Sequence, residues 1–249
     1  MPRTDVQTGL DFRSHLVERI ALFRGLPPES YAELVSQMRE RRVPRRQLFF
    51  AEGDPASDLV VLCAGRAKLT QGSMNGQRVI LRLTGPGEVL GGLGTGIGGR
   101  HSATAEALEP SHALVWDGRT LDTFSERHPV LLRNTIRILS ERLRALELAH
   151  LELASEKVPQ RLAHTLLRLV AQVGRPFEGG ALVSLFREEL AEMTGTTLFT
   201  VSRILSEWEA RGVVRPRREG VVVDDTEGLV SIAEAGEALR SGASGAGSR

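Results

Sequence analysis

Between Pro129 and Pro159 the chain carries neither proline nor glycine. Proline suits the first turn of a helix, where its missing N–H is not needed, so this stretch predicts one long helix, bounded here as 128–156. Within it Leu132, Ile136, Leu139, Leu143, Leu146, His150 and Leu153 follow one another at intervals of 4, 3, 4, 3, 4 and 3 residues. That is the a/d seam of a coiled coil over more than three heptads, and it requires a partner helix. No second seam of equal length exists in the chain, so the expected partner is a second copy. A further row, Leu131, Ile138, Leu148 and Leu151, offers a second face to the chain's own body. At about 1.5 Å per residue the helix would run close to 40 Å. His150 is the one polar member of the seam; such a residue fixes register, and two facing imidazoles would make pairing pH-sensitive.

The helix separates two different textures. Residues 44–118 are rich in Gly and Pro and hold short apolar runs at Gln47–Phe50, Leu59–Leu62, Ala67–Leu69, Val79–Leu83 and Ala113–Val115. Short strands with glycine-bearing turns at such spacing predict an antiparallel sandwich or barrel. A helical preamble, 16–41, is interrupted by Pro27 and Pro28. After the helix, residues from 158 read as helical and end in VVRPRREGVVV (213–223), two β-branched runs around a glycine-bearing turn, hence a hairpin. The small polar tail GEALRSGASGAGSR (236–249) is expected to be disordered.

Residues 187–211, REELAEMTGTTLFTVSRILSEWEAR, carry the most specific pattern. A short helix bearing Leu190, Ala191 and Met193 meets Gly195, which supplies a tight turn, and Thr197 caps a second helix. Val201, Ile204, Leu205 and Trp208 form that helix's buried stripe, which leaves Leu198, Phe199, Ser202, Arg203 and Ser206 on the opposite side. Two large apolar side chains facing solvent need a reason, and the DNA major groove provides one. Arg203 can pair bidentately with guanine, Leu198 or Phe199 can meet thymine methyl groups, and Thr197 and Ser202 can reach phosphates or base edges. Arg215, Arg217 and Arg218 on the hairpin would approach phosphates as a wing. The charge agrees locally: 194–218 holds five Arg against Glu207 and Glu209, although the whole chain is only +1. The basic stretch RERRVPRRQ (39–47) needs no role beyond a solvated face.

Several classes of function are disfavoured. The single cysteine, Cys63, allows neither an intrachain disulfide nor a four-thiolate iron–sulfur cluster or zinc site, and a small buried hydrophobe is its expected role. No GxSxG, HExxH or Walker lysine pattern occurs, so no enzyme is expected. There is no run of 18 apolar residues, and Arg3, Asp5 and Asp11 stand where a signal peptide would need an apolar stretch. A cytoplasmic protein without membrane or metal is therefore expected.

Taken in order, LPPESYAELV (26–35), EGDPASDLVVLCAGRAKL (52–69), GQRVILRLTGPGEVLG (76–91), the long helix, REELAEMTG (187–195) and TVSRIL (200–205) resemble the CRP/FNR superfamily of bacterial transcription regulators over about 14–235. The resemblance implies an α+β fold. Its parts are an N-terminal antiparallel β-roll of jelly-roll type (14–127), a coiled-coil dimerisation helix (128–156), a C-terminal winged helix-turn-helix (157–236) and a disordered tail (237–249). It also implies homodimers on pseudo-palindromic double-stranded DNA, contact with RNA polymerase, and signals passed from the β-roll along the helix. In the cyclic-AMP-binding pattern a Gly-Glu-Leu triplet supplies a carboxylate; here it reads Gly91, Gly92, Leu93. The phosphate element reads Arg100, His101, Ser102, with either Arg100 or His101 in the arginine's place, and the purine-touching pair becomes Leu146 and Glu147. Cyclic AMP is accordingly not the expected effector, and the iron–sulfur branch is disfavoured. TGTTLFTVSRILSEWE (194–209) also resembles nitrogen-oxide-responsive members, for which haem would need an axial donor among six histidines of no distinctive spacing. An effector-independent regulator, and a ligand-binding module without DNA function, are the alternatives.

Overall fold

The computed structural model describes residues 13–72, 78–91 and 99–235. Gly92, Leu93 and the tail from 236 lie outside the described residues. Contacts divide the chain into two compact units, 1–144 and 145–249, and the division falls inside the long helix.

The first unit holds two four-stranded antiparallel sheets, β1-β8-β3-β6 and β2-β7-β4-β5. The strands are β1 (Arg39–Val43), β2 (Leu48–Phe50), β3 (Asp58–Ala64), β4 (Ala67–Gly72), β5 (Arg78–Thr84), β6 (Val89–Leu90), β7 (Thr104–Ala107) and β8 (Ser111–Asp117). β3 and β8 are apolar along their length because both of their faces are covered. Leu59, Val61, Leu114 and Trp116 join a helical layer that includes Phe23, Leu34, Phe124 and Leu131. Val60, Leu62, Ala113 and Val115 instead meet Phe49, Phe50, Leu69 and Ala105 of the other sheet. Alternation within one strand thus serves two cores. Cys63 packs partly buried against the helical layer, and burial pushes its thiol up to about 11.

The preamble is only partly helical. Ala21–Phe23 forms a 3-10 turn and Pro28–Gln37 forms α1, but Arg39–Arg41 belong to β1. β1 is an edge strand whose first four side chains are exposed, so no apolar alternation betrays it, and its charges blunt a free edge. Arg39 pairs with Asp58 at 3.1 Å, and Arg41 donates to the carbonyls of Phe49 and Leu48.

α2 (Gly118–Arg127) is capped by Asp117, which accepts from the Arg119 N–H, and α3 (Val130–Ser155) is the long helix. At its start Asn134, nearly buried, donates to the carbonyls of Leu22 (2.9 Å) and Arg24 (2.8 Å), which satisfies backbone groups the 3-10 turn leaves open. Arg142 further along donates to Gly91 O (2.9 Å) and Val89 O (2.7 Å).

In the second unit α4 (Val158–Val173) packs against α7 (Thr226–Glu234) and α5 (Arg187–Thr194), with α6 (Leu198–Ala210) beside α5. A four-stranded sheet of order β11-β12-β10-β9 completes it: β9 (Arg175–Phe177), β10 (Gly180–Val183), β11 (Val214–Arg217) and β12 (Gly220–Val223). The hairpin expected at 213–223 is β11–β12, with Arg217 opposite Gly220 across its turn. The β9–β10 hairpin was not expected; it hides because β9 is a three-residue exposed edge strand containing Pro176.

Candidate nucleic-acid interface

Gly195 ends α5 in the left-handed region, φ +60° and ψ +44°, where a Cβ is disfavoured, and its N–H donates to Ala191 O. A Cβ there would also stand 3.1 Å from Leu153 Cδ2. Arg161 on α4 fixes the same corner by donating to Thr194 O at 3.1 Å. Two residues on, Thr197 Oγ1 accepts from the Thr200 N–H at 3.2 Å and caps α6, as its sequence position predicts. Val201, Ile204, Leu205 and Trp208 are buried, so the orientation of α6 is fixed by its stripe.

On its other side Phe199 is 78% exposed and Leu198 50%. Thr197, Arg203 and Ser206 are exposed beside them and Ser202 is half-buried. Here the structure brings together the side chains that the sequence singles out: an apolar tip, one guanidinium and a fringe of hydroxyls.

The wing departs from expectation. Arg215 is not free for phosphate: its Nε and Nη2 donate to Asp224 at 2.7 and 2.8 Å, its Nη1 to Glu178 Oε2 at 2.9 Å and its Nη2 to the Glu178 carbonyl at 3.0 Å. The guanidinium beside Asp224 holds that carboxyl below the usual range. Arg215 is thus a strut joining the two hairpins. Arg217 donates once, to Glu178 Oε2 at 2.7 Å, with its guanidinium 5.8 Å from the Phe177 ring centre, and Arg218 is exposed. Sequence reading missed Glu178, whose partners lie nearly forty residues away; the only local signal was the turn Glu178-Gly179-Gly180.

The expected seam on α3 is uncovered. Leu132, Ile136, Leu139, Leu143, Leu146 and Leu153 are each 46–61% exposed, and His150 is exposed with them. Of the second row only Leu131 is buried and Ile138 partly so, while Leu148 and Leu151 stand open. They line a cavity of about 920 Å³ with Trp208, Ile232 and Ala233.

In the first unit His101 has turned inward. Its ring stacks on Phe50 at 3.6 Å between centres, its Nδ1 is buried without a hydrogen-bond partner, and burial lowers its basicity. Gly91, at φ +74°, leaves that space: a Cβ would meet the Phe50 ring at 2.9 Å and His101 Nδ1 at 3.2 Å. Arg100 is spent on the carbonyl of Gly53 at 2.6 Å, and Ser102 is exposed. Leu146 and Glu147 are exposed in the second unit. Two arginines not singled out in the sequence converge instead. Arg82 and Arg142 both donate to Val89 O, at 3.0 and 2.7 Å. Burial pushes Arg82 down to about 10, and Arg142 opposes its charge. Among the described residues no group of three His, Cys, Asp or Glu side chains is placed to hold a metal, and no helix is long and apolar enough to cross a membrane.

Comparison with known proteins agrees with this arrangement. Residues 40–128 match the cyclic nucleotide-binding domain family and residues 160–232 the Crp-like helix-turn-helix domain family. The cyclic AMP receptor protein of Thermus thermophilus is 32% identical over 194 residues, 78% of this chain and 88% of that one. A CRP-like cAMP-activated global transcriptional regulator of Mycobacterium tuberculosis is 29% identical over 86% of this chain and 96% of its own length. Neither bears an enzyme's name. The solved c-di-GMP-responsive global regulator of Xanthomonas campestris shares the fold, with a TM-score of 0.69 at 22% identity, over 84% of this chain and 98% of that one.

Proposed function

The chain belongs to the CRP/FNR superfamily and is a DNA-binding transcription regulator of that type, and from this premise we propose that it works in the cytoplasm as a homodimer on a pseudo-palindromic operator. The observation that carries the reading is the pairing of an uncovered Leu198–Phe199 tip with Arg203 on a helix whose other face is sealed. Arg203 reads guanine, Leu198 and Phe199 meet thymine methyl groups, and Thr197, Ser202, Ser206, Arg217 and Arg218 take phosphates or base edges. Arg215 supports the wing from behind. The exposed seam from Leu132 to Leu153 pairs two copies, so that two recognition helices stand about 34 Å apart, one turn of duplex. Residues 14–127 then serve as sensor, 128–156 as dimerisation helix and 157–236 as reader. RNA polymerase is the further partner the family implies.

Selection from a random duplex pool tests this directly. Enrichment of a two-fold-related site is expected, and Arg203→Ala should weaken binding to it by about 1–3 kcal/mol while relaxing preference at one base pair. A pool without enrichment, or an Arg203→Ala protein that binds the selected site unchanged, would overturn the assignment.

The convergence of Arg82 and Arg142 favours an anionic effector for the β-roll. Two half-buried guanidiniums share one carbonyl acceptor, with Glu88 as a nearby counter-charge, and a bound anion would add to that compensation. Cyclic AMP itself fits poorly. Gly92 stands where a ribose-binding carboxylate is needed, Arg100 is turned to Gly53, and His101, stacked on Phe50 with its charged form disfavoured by burial, offers the phosphate no ready cation. Native mass and an ultraviolet-visible spectrum of protein purified from its own host test the reading. A bound phosphorylated or carboxylated molecule supports it, whereas haem, or tight specific DNA binding by ligand-free protein, refutes it.

A further inference from the structure

Glu178 occupies the turn between β9 and β10 with φ +45°, one of two non-glycine residues among those described with positive φ. A glutamate held in the left-handed region, followed by two glycines that would accept it freely, draws notice to where its side chain goes. Its carboxylate reaches across the sheet and receives Arg215 Nη1 at 2.9 Å and Arg217 Nη2 at 2.7 Å on the same oxygen, Oε2. These two arginines are not equivalent. Arg215 still donates both of its bonds to Asp224 if Glu178 lets go, so it stays a strut. Arg217 donates to Glu178 and feels Asp224 only through its charge, and about half of each side chain of the Arg217–Glu178 pair is open to water. An ion pair so exposed is weak and salt-screened, and its arginine is free to exchange partners.

We propose that Glu178 is a positioning residue that tethers Arg217 back onto the sheet and so limits how strongly the wing grips DNA on which the reading helix is not seated. Phosphate oxygens compete with the carboxylate for the same guanidinium edge; when the reading helix seats in the groove, Arg217 exchanges Glu178 for the backbone. The tether thereby trades non-specific affinity for discrimination, because on wrong sites, where the reading helix does not seat, Arg217 stays with Glu178. This inference rests on the DNA-binding reading above and adds to it the residue that tunes the non-specific share.

The test is the salt dependence of binding to a mixed-sequence duplex and to the selected operator. Glu178→Gln removes the charge, and Glu178→Gly removes the side chain while relieving the left-handed backbone, so at least one keeps the fold. Each is expected to tighten binding to the mixed-sequence duplex by on the order of tenfold at low salt and to steepen its slope of log K against log salt by about 1.8, one added phosphate per subunit of a dimer, with a smaller gain and an unchanged slope at the operator, where Arg217 has already exchanged partners. In an Arg217→Ala background the same changes should have no effect. An unchanged slope on the mixed-sequence duplex with a lowered melting temperature would mean that Glu178 only braces the hairpins. A gain that survives Arg217→Ala would mean simple removal of a negative charge. Either result overturns the tether while leaving the DNA-binding reading intact; failure of the wild-type protein to bind any duplex removes the reading itself and the tether with it.

Discussion

Asn134 is a polar side chain set among leucines, and its amide does work that no apolar residue could, closing the carbonyls of Leu22 and Arg24 at the start of the long helix. Replacing it by alanine leaves both without that donor, and Asn134→Ala is expected to cost about 1–3 kcal/mol, seen as a lower midpoint in chemical unfolding. His101 makes the opposite case, a titratable ring valued for being neutral. Burial holds its pKa below the ordinary imidazole value of 6.5, so the unfolded chain binds the proton first. Its stabilising share is complete above pH 6.5 and fades as pH falls toward the depressed value. His101→Gln should therefore flatten the fall in melting temperature between neutral and mildly acidic pH; an unaltered slope would show that the ring does not titrate with folding. Residues of these two kinds differ in how well sequence reveals them. Phe199 and Arg203 could be read because the helical period alone decides which side chains are left over after the stripe is buried. Arg215 could not, since its partners Glu178 and Asp224 are joined to it by sheet pairing rather than by any local spacing.

Among elements, α3 was the most legible, because a seam of seven positions leaves little freedom of interpretation. Its second row was less so: Leu131 and Ile138 join the first unit's core, whereas Leu148 and Leu151 line an open cavity of the second unit. The apolar strands β3 and β8 were recognisable from composition, and that they face two cores at once follows only when helices cover the outer sheet. β1 and β9 escaped notice for a shared reason, both being edges whose side chains meet water, so that no hydrophobic alternation is imposed on them. The seam also yields a quantity. Leu143 is 57% exposed in the single chain, so Leu143→Ala should leave the protomer's fold intact but weaken pairing by about 2–5 kcal/mol. Sedimentation over a concentration series measures this, and a dimer unaffected by the change would place the interface elsewhere.

At the scale of the molecule the charge is close to balanced, so attraction to DNA has to come from where the arginines are placed and not from their number. The strand-rich first unit, the long helix and the reader could be inferred from the chain alone because strand and helix impose different hydrophobic periods. The effector could not, because Arg82, Val89 and Arg142, from β5, β6 and α3, are brought together only by folding. One coupling in the second unit is steric. Gly195→Ala would force a side chain into the left-handed bend and against Leu153, with an expected loss of about 1–2 kcal/mol and a drop in operator binding that exceeds it; equal losses would mean that the bend is only a hinge for folding. Leu153 belongs to the row proposed to pair two copies, so that pairing would also bear on the clearance at Gly195. A bulkier residue at the bend is then expected to be accommodated only alongside a smaller one at 153, and that smaller residue would in turn thin the seam.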